Sequence, residues 1–115
     1  MKKNSNSNKG QDNSIMRKEN DALEHFKKKE YDVCELIYNE ILEKDPNNYN
    51  TICNLAIISG IKNNWNDMEN ILLKAIKLND NDPEIFNKIG IAYKNQGKIK
   101  LAIESYNKAI KIKNN

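Results

Sequence analysis

Residues 83–109, PEIFNKIGIAYKNQGKIKLAIESYNKA, decide the fold of this 115-residue chain. Their apolar side chains recur every three or four positions, which places them on one face of an α-helix. The break at residues 95–97 separates two such sets, so the stretch predicts two helices joined by a short turn. Asp82 as N-cap and Pro83 at the first helical position are expected to begin the first helix. Gly97 is expected to end it in the left-handed conformation that glycine tolerates best.

The same pattern occurs twice more towards the N-terminus, at intervals of 34 residues. This period predicts a repeat protein. One step places Phe86, Ile89, Gly90 and Ala109 over Ile52, Leu55, Ala56 and Ala75. A second step places Gly90, Ile99, Ala102, Tyr106 and Ala109 over Ala22, Tyr31, Cys34, Tyr38 and Ile41. One helix pair cannot bury its apolar face alone, so three stacked pairs are expected to share a continuous core.

These positions resemble the tetratricopeptide repeat (TPR) family, whose unit is a helix pair of about 34 residues. In the last copy the family pattern is matched by Phe86, Ile89-Gly90, Tyr93, Gly97, Ala102, Tyr106 and Ala109. The resemblance covers roughly residues 15–114 and implies an all-α superhelix, a TPR solenoid of about three antiparallel helix pairs. Four residues depart from it: Lys18 and Asp21 stand at apolar positions, and Ile41 and Met68 are large where the family prefers alanine.

The predicted organisation is one TPR domain at residues 15–115, preceded by an Asn/Ser/Lys-rich tail at residues 1–14. The tail has almost no apolar side chain to bury and is predicted to be disordered. The repeats are expected at about 15–48, 49–82 and 83–115. Their helices are predicted at about 15–29, 31–44, 49–62, 65–78, 83–96 and 99–113, and Gly60 is expected to weaken the third of these.

Composition argues against a membrane protein. Only 38% of the residues are hydrophobic, and no apolar run approaches the ~20 residues that a bilayer span needs. The start MKK is followed by polar residues, which does not fit a secretory signal. Cys34 and Cys53 are then expected to be free thiols. Together these features predict a cytoplasmic location.

The residue types of an enzyme or metal centre do not come together in this sequence. His25 is the only histidine, and it stands at the repeat position of Tyr93, which predicts a helix-packing role. Cys34 stands at the small-residue position of Ala102 and is interpreted as a small hydrophobe. Two cysteines and one histidine are too few for a four-ligand zinc site. We therefore predict a non-enzymatic protein with no catalytic residue, no metal and no cofactor.

The family resemblance assigns partner binding to the concave face, which the first helix of each pair forms. Leu23, Ile57 and Ile91 lie there one repeat apart, where the family carries asparagine, and they suggest an apolar groove for a peptide or helix of a protein partner. The alternative is that neighbouring side chains bury them. The predicted partner-binding residues are Leu23, Asn54, Ile57, Ile61, Asn87, Ile91 and Lys94.

Some TPR proteins hold the terminal carboxylates of heat-shock chaperones in a clamp of Lys, Asn and Arg. The corresponding positions here are Glu19, Leu23, Asn54, Glu84 and Lys88. Two carboxylates stand where cations are needed, so like-charge repulsion argues against carboxylate-clamp binding.

Two further interaction modes are alternatives. The last helix has more apolar positions than its own partner helix would use, which suggests self-assembly into a homo-oligomer or a place within a longer TPR array: Leu101, Ile103, Ile110 and Ile112. The last repeat is basic while the first is acidic, so nucleic-acid binding is a third alternative. Its lysines spread around both helices with no arginine beside them, which argues against this alternative.

Overall fold

The computed structural model describes the backbone of residues 2–114 and the side chains of residues 13–114. The described backbone forms six helices and no strand, which confirms the all-α fold class. The helices are α1 Lys2–Lys27, α2 Tyr31–Lys44, α3 Tyr49–Ile61, α4 Trp65–Leu78, α5 Pro83–Asn95 and α6 Ile99–Lys113.

Eleven of the twelve helix ends lie within two residues of their predicted positions. The exception is the start of α1, which is helical from Lys2, through the stretch whose composition predicts disorder. The side chains of residues 1–12 lie outside the described residues, so the disorder of residues 1–14 in solution stays a prediction.

Three turns connect the two helices of each pair, and they have the same geometry at equivalent repeat positions. Lys29, Asn63 and Gly97 all have positive φ, of 61°, 62° and 78°. In each turn the next amide donates to the carbonyl five residues back, as Lys98 N does to Tyr93 O at 2.9 Å. Gly97 therefore ends its helix in the predicted left-handed conformation. The backbone repeats this turn even where the residue is not glycine.

The start of α5 has the predicted cap. The Asp82 carboxylate accepts a hydrogen bond from Glu84 N at 3.0 Å, and Pro83 occupies the first turn. The aspartate thus satisfies one of the amides that a helix start leaves without an intrahelical partner.

The chain packs as two compact units, Met1–Thr51 and Ile52–Asn115. In the first unit the Cys34 thiol donates to Ala22 O at 3.3 Å, and the Phe26 and Tyr31 rings meet edge to face at 5.4 Å. These contacts join α1 to α2. The buried hydrophobic residues of this unit are Ala22, Cys34, Ile37, Tyr38 and Ile41.

The second unit packs α5 against both α4 and α6. Its largest fully buried aliphatic side chains are Ile52, Ile58, Leu72, Ile85 and Ile89. Small residues allow close approach at two places: a Cβ on Gly90 would lie 2.6 Å from Tyr106 Cε1, and one on Gly60 would lie 3.1 Å from Met68 Sδ. Gly60 thus makes room for the large Met68, which gives this helical glycine a packing role.

Candidate partner-binding surface

Helix α3 presents three of the predicted partner-binding residues. Ile61 is exposed, and Ile57 and Asn54 are half-buried. Ile57 and Ile61 are one helical turn apart, so their side chains are neighbours on the surface of α3. They form a partly exposed aliphatic pair on an otherwise well-buried helix.

Helix α5 presents three more, at equivalent repeat positions or close to them. Ile91 is 38% exposed, and Asn87 and Lys94 are exposed on the same helix. Ile91 stands one repeat after Ile57, so both have the same place in their repeats. The second unit therefore holds six of the seven predicted residues on α3 and α5. The two isoleucines at this position are not buried in the core.

Leu23 is the seventh predicted residue and lies on α1 in the first unit. Its side chain is exposed. The alternative prediction, that neighbouring side chains bury this leucine, does not hold for it. Ala22 beside it is fully buried, so Leu23 points away from the α1–α2 core. Its membership of one groove with Ile57 and Ile91 stays a prediction.

The clamp positions of the third repeat carry an ion pair. Lys88 Nζ lies 3.9 Å from Glu84 Oε2, one helical turn away on α5. The carboxylate partly offsets the lysine charge that a clamp would offer to a terminal carboxylate. This geometry agrees with the sequence argument against carboxylate-clamp binding.

A polar network around Glu69 joins α4 to the α5–α6 turn. Lys98 Nζ and Gln96 Nε2 both donate to Glu69 Oε1 at 2.9 Å, and Gln96 Nε2 also lies 3.4 Å from Trp65 O. The hydrogen bond from Lys98 is the main cause that lowers the pKa of Glu69. Lys98 also lies 5.9 Å from the centre of the Tyr93 ring, and burial raises the pKa of that phenol.

Sequence reasoning missed this network because its members are 27 to 31 residues apart and belong to no motif. One signal was available. Glu69 stands at the repeat position of Ile103, so a carboxylate occupies a place that is apolar in the next repeat. A charged residue there requires a cationic or hydrogen-bonding partner from the following helix.

His25 and Cys34 have the surroundings of structural residues. His25 Nδ1 lies 2.9 Å from Glu30 Oε1, and Nε2 lies 3.7 Å from Asp21 Oδ1. The ring is half-buried, so it contributes polar contacts as well as the predicted packing. Cys34 is buried, and this desolvation raises the pKa of its thiol, as expected for an unreactive small hydrophobe.

Two features are absent from the described residues. No group of three or more His, Cys, Asp or Glu side chains among them is arranged to hold a metal ion. Every helix in the described part of the chain is too short or too polar to cross a membrane.

Comparison with known families decides the nature of the repeat. Residues 83–115 match the family model of the tetratricopeptide repeat, over the same stretch that carries the quoted motif. This chain contains a tetratricopeptide repeat. The six helices fit about three TPR helix pairs. No curated protein matches the sequence.

Several solved structures share the fold of this chain. MamA from MSR-1 superposes with a TM-score of 0.79 at 18% identity, covering 87% of this chain and 57% of that one. The second TPR of Spaghetti (RPAP3), bound to the HSP90 peptide SRMEEVD, superposes with a TM-score of 0.80 at 19% identity, covering 90% of this chain and 98% of that one. The N-terminal domain of stress-induced protein-1 (STI-1) from C. elegans superposes with a TM-score of 0.80 at 16% identity, covering 89% of this chain and 86% of that one. The present chain thus spans little more than half of MamA.

Proposed function

We propose that this TPR protein is a non-enzymatic interaction module that binds an apolar segment of a partner protein along the first helices of its repeats. Leu23, Ile57 and Ile91 would anchor that segment, with Ile61 extending the apolar contact. Asn54, Asn87 and Lys94 would bind polar and acidic groups beside it. A cytoplasmic location is part of the same proposal.

The observation that carries the proposal is the exposure of Ile91 on α5. Five buried residues of the same helix form its core-facing side: Ile85, Ile89, Gly90, Ala92 and Tyr93. Ile91 lies outside this set and leaves 38% of its surface exposed. A large aliphatic residue exposed at a repeat position that also carries Leu23 and Ile57 is typical of a binding surface. Support also comes from the Spaghetti structure, in which a TPR of the same fold holds a peptide.

Charge indicates which peptides fit this surface. Lys94 is exposed on α5, while Lys88 is paired with Glu84 at 3.9 Å. A peptide that depends on a terminal carboxylate would meet only a partly neutralised cation there. We therefore expect an internal segment with aliphatic side chains and an acidic residue near Lys94, rather than an acidic C-terminal tail.

The experiment compares capture of partner proteins from native lysate by wild type and by Leu23→Lys/Ile57→Lys/Ile91→Lys. Leu73→Lys is the matched control, because Leu73 is 39% exposed, almost the same as Ile91 at 38%, but lies on α4. Far-UV circular dichroism first establishes that all three proteins are equally helical. Loss of a captured protein by the triple variant, with retention by the control, supports the proposal. Equal capture by all three, or capture by none, contradicts it.

Two added measurements identify the kind of partner. A photo-crosslinking residue at position 91, but not at position 73, should label the captured protein. The free peptide SRMEEVD should not compete with that protein, because the clamp positions carry Glu19 and Glu84. Competition by this peptide would contradict the expected preference for an internal apolar segment.

Nucleic-acid binding remains the weaker alternative, and the structure gives a reason. Lys98 and Lys88, two cations of the basic third repeat, are already paired with Glu69 and Glu84. A salt-dependent mobility shift with RNA or DNA, which wild type shows and Lys100→Glu/Lys111→Glu loses, would favour this alternative over a protein partner.

A further inference from the structure

Helix α6 has an exposed apolar face formed by Ile99, Ile103 and Ile110, which we name the α6 face. These side chains are 53%, 54% and 57% exposed. Spacings of four and seven residues place them in one row along the helix. A different side of α6 packs through Ala102, Ser105 and Ala109, which are buried. The packing of α6 in the second unit therefore leaves more than half of each isoleucine exposed.

Helix α4 shows how the equivalent face is covered one repeat earlier. The positions of α4 that correspond to the α6 face are Trp65, Glu69 and Ile76. All three are partly buried, and the Glu69 side chain is only 14% exposed. The following helix, α5, covers Glu69 and Ile76.

Two kinds of contact hold α5 over α4. Gln96 at the end of α5 donates to Glu69 Oε1 at 2.9 Å. Ile76 lines a cavity of about 310 Å³ together with Phe86 and Ile89 of α5. Phe86, Ile89 and Tyr93, at spacings of three and four residues, form the apolar row of α5 on this side. The structure thus contains a template for the helix that would cover the α6 face.

The charge around the α6 face selects an acidic occupant. Exposed lysines at positions 100, 111 and 113 of α6 flank this row, whereas Lys108 and the carboxylate of Glu104 lie on the side of α6 nearer to α5. A helix with acidic side chains beside its apolar row would be attracted to this surface. Two copies of α6 packed face to face would bring these lysines together, which opposes that form of self-association.

The first helix of a second copy has the wrong chemistry to be the occupant. The positions of α1 that correspond to Phe86, Ile89 and Tyr93 are Lys18, Asp21 and His25. They are polar and already paired: Lys18 lies 3.5 Å from Glu40, and His25 lies 3.7 Å from Asp21. Head-to-tail stacking of this chain would therefore set a polar row against three isoleucines.

We propose that the α6 face binds an acidic amphipathic helix of a partner, laid on α6 as α5 lies on α4. Apolar residues of this helix at spacings of three and four contact Ile99, Ile103 and Ile110, and acidic residues beside them contact the lysines of α6. This site is separate from the surface on α3 and α5 and does not depend on it.

The probe is a synthetic peptide of residues 80–97, the α5 segment, with Lys88→Glu and Lys94→Glu to make it acidic. Wild-type protein should bind the labelled peptide in a fluorescence anisotropy titration. Ile103→Ser/Ile110→Ser should weaken binding at least about tenfold, since each substitution removes an apolar contact without adding a charge. The unmodified peptide should bind more weakly than the acidic one, and the difference should shrink in high salt.

Two variants provide the controls. Leu73→Ser and Leu36→Ser change exposed leucines on α4 and α2 and should leave binding unchanged. Absence of binding to wild type, or equal binding by Ile103→Ser/Ile110→Ser, would overturn the proposal, the second result because the peptide would then bind away from the α6 face. A dimer that forms through the α6 face and strengthens with salt would also overturn it, in favour of a second copy as occupant.

Discussion

Lys98 Nζ lies 2.9 Å from Glu69 Oε1, and this ion pair joins the start of α6 to α4 across 29 residues of sequence. The carboxylate is largely buried, and Gln96 donates to the same oxygen. A buried charge with hydrogen-bonding partners is stabilised, whereas the same charge without them destabilises the fold. The pair therefore contributes to the packing of successive repeats.

A double-mutant cycle should measure this contribution. Glu69→Gln and Lys98→Met should each lower the free energy of unfolding. The double variant should lose about 1 kcal/mol less than the sum of the two single losses, which is the coupling energy of the pair. Urea denaturation gives the free energies of unfolding. Lys100→Met, an exposed lysine on the same helix, is the control and should show no coupling with Glu69→Gln. Additive effects of the two substitutions would mean that the pair is screened by solvent.

The same carboxylate should make stability depend on pH. The pKa of Glu69 is lowered in the folded state, chiefly by the Lys98 hydrogen bond, relative to about 4.3 for an unfolded glutamate. Its stabilisation is therefore complete above the unfolded pKa and is lost as pH falls through the folded pKa. The difference in unfolding free energy between wild type and Glu69→Gln should shrink with acidification. A difference between wild type and Glu69→Gln that stays constant with pH would contradict the assignment.

Gly90 should tolerate no side chain while Tyr106 is opposite it. A Cβ at position 90 would lie 2.6 Å from Tyr106 Cε1, so Gly90→Ala should destabilise the protein by about 2 kcal/mol, even though alanine favours helix. The second repeat carries Ala56 and Leu72 at these positions, both fully buried. Gly90→Ala/Tyr106→Leu should therefore recover part of the stability that Gly90→Ala loses, as measured by thermal denaturation. A double variant less stable than Gly90→Ala would show that the clash is not the cause.

Lys29 has a backbone conformation that suits glycine better. Its φ is 61°, and the equivalent residue of the third repeat is Gly97. Lys29→Gly should raise the free energy of unfolding by about 1 kcal/mol, because a left-handed non-glycine residue is strained. Lys28→Gly next to it, where φ is not positive, should lower stability instead. Equal effects of the two substitutions in denaturant titrations would contradict this reading of the turn.

Thr51 has a buried hydroxyl without a partner among the described residues. The residue is fully buried, and Oγ1 has no hydrogen bond there. Thr51→Val removes an unsatisfied polar group at nearly constant shape, so stability should be unchanged or higher by about 1 kcal/mol. Thr51→Ser keeps the hydroxyl, loses a methyl group and should be less stable. A marked loss on Thr51→Val would indicate that water bonds the hydroxyl in solution.

The helices and their turns could be predicted from sequence because the signals are local. Periods of three and four residues define a helix face, and breaks that recur once per repeat define the turns. Asp82, Pro83 and Gly97 act within a few residues of their own positions. Local signals missed the packing role of Gly60, since a glycine inside a helix suggests weakness until its contact with Met68 is known.

The contacts between repeats could not be predicted in the same way. Gln96 and Lys98 meet Glu69 only because α5 packs on α4, and no pattern of residue types marks that meeting in advance. The seven partner-binding residues came from the TPR resemblance, and their joint action in one groove is a proposal for experiment.

The sequence by itself determined the helix pairs, because hydrogen bonds and apolar periodicity within a single repeat are enough to specify them. Only the tertiary structure decided which apolar residues are left outside the core. Ile76 and Ile110 occupy the same repeat position, yet one is covered by α5 and the other is 57% exposed. Burial depends on what packs next to a residue, which is a property of the assembled helices and not of the repeat motif.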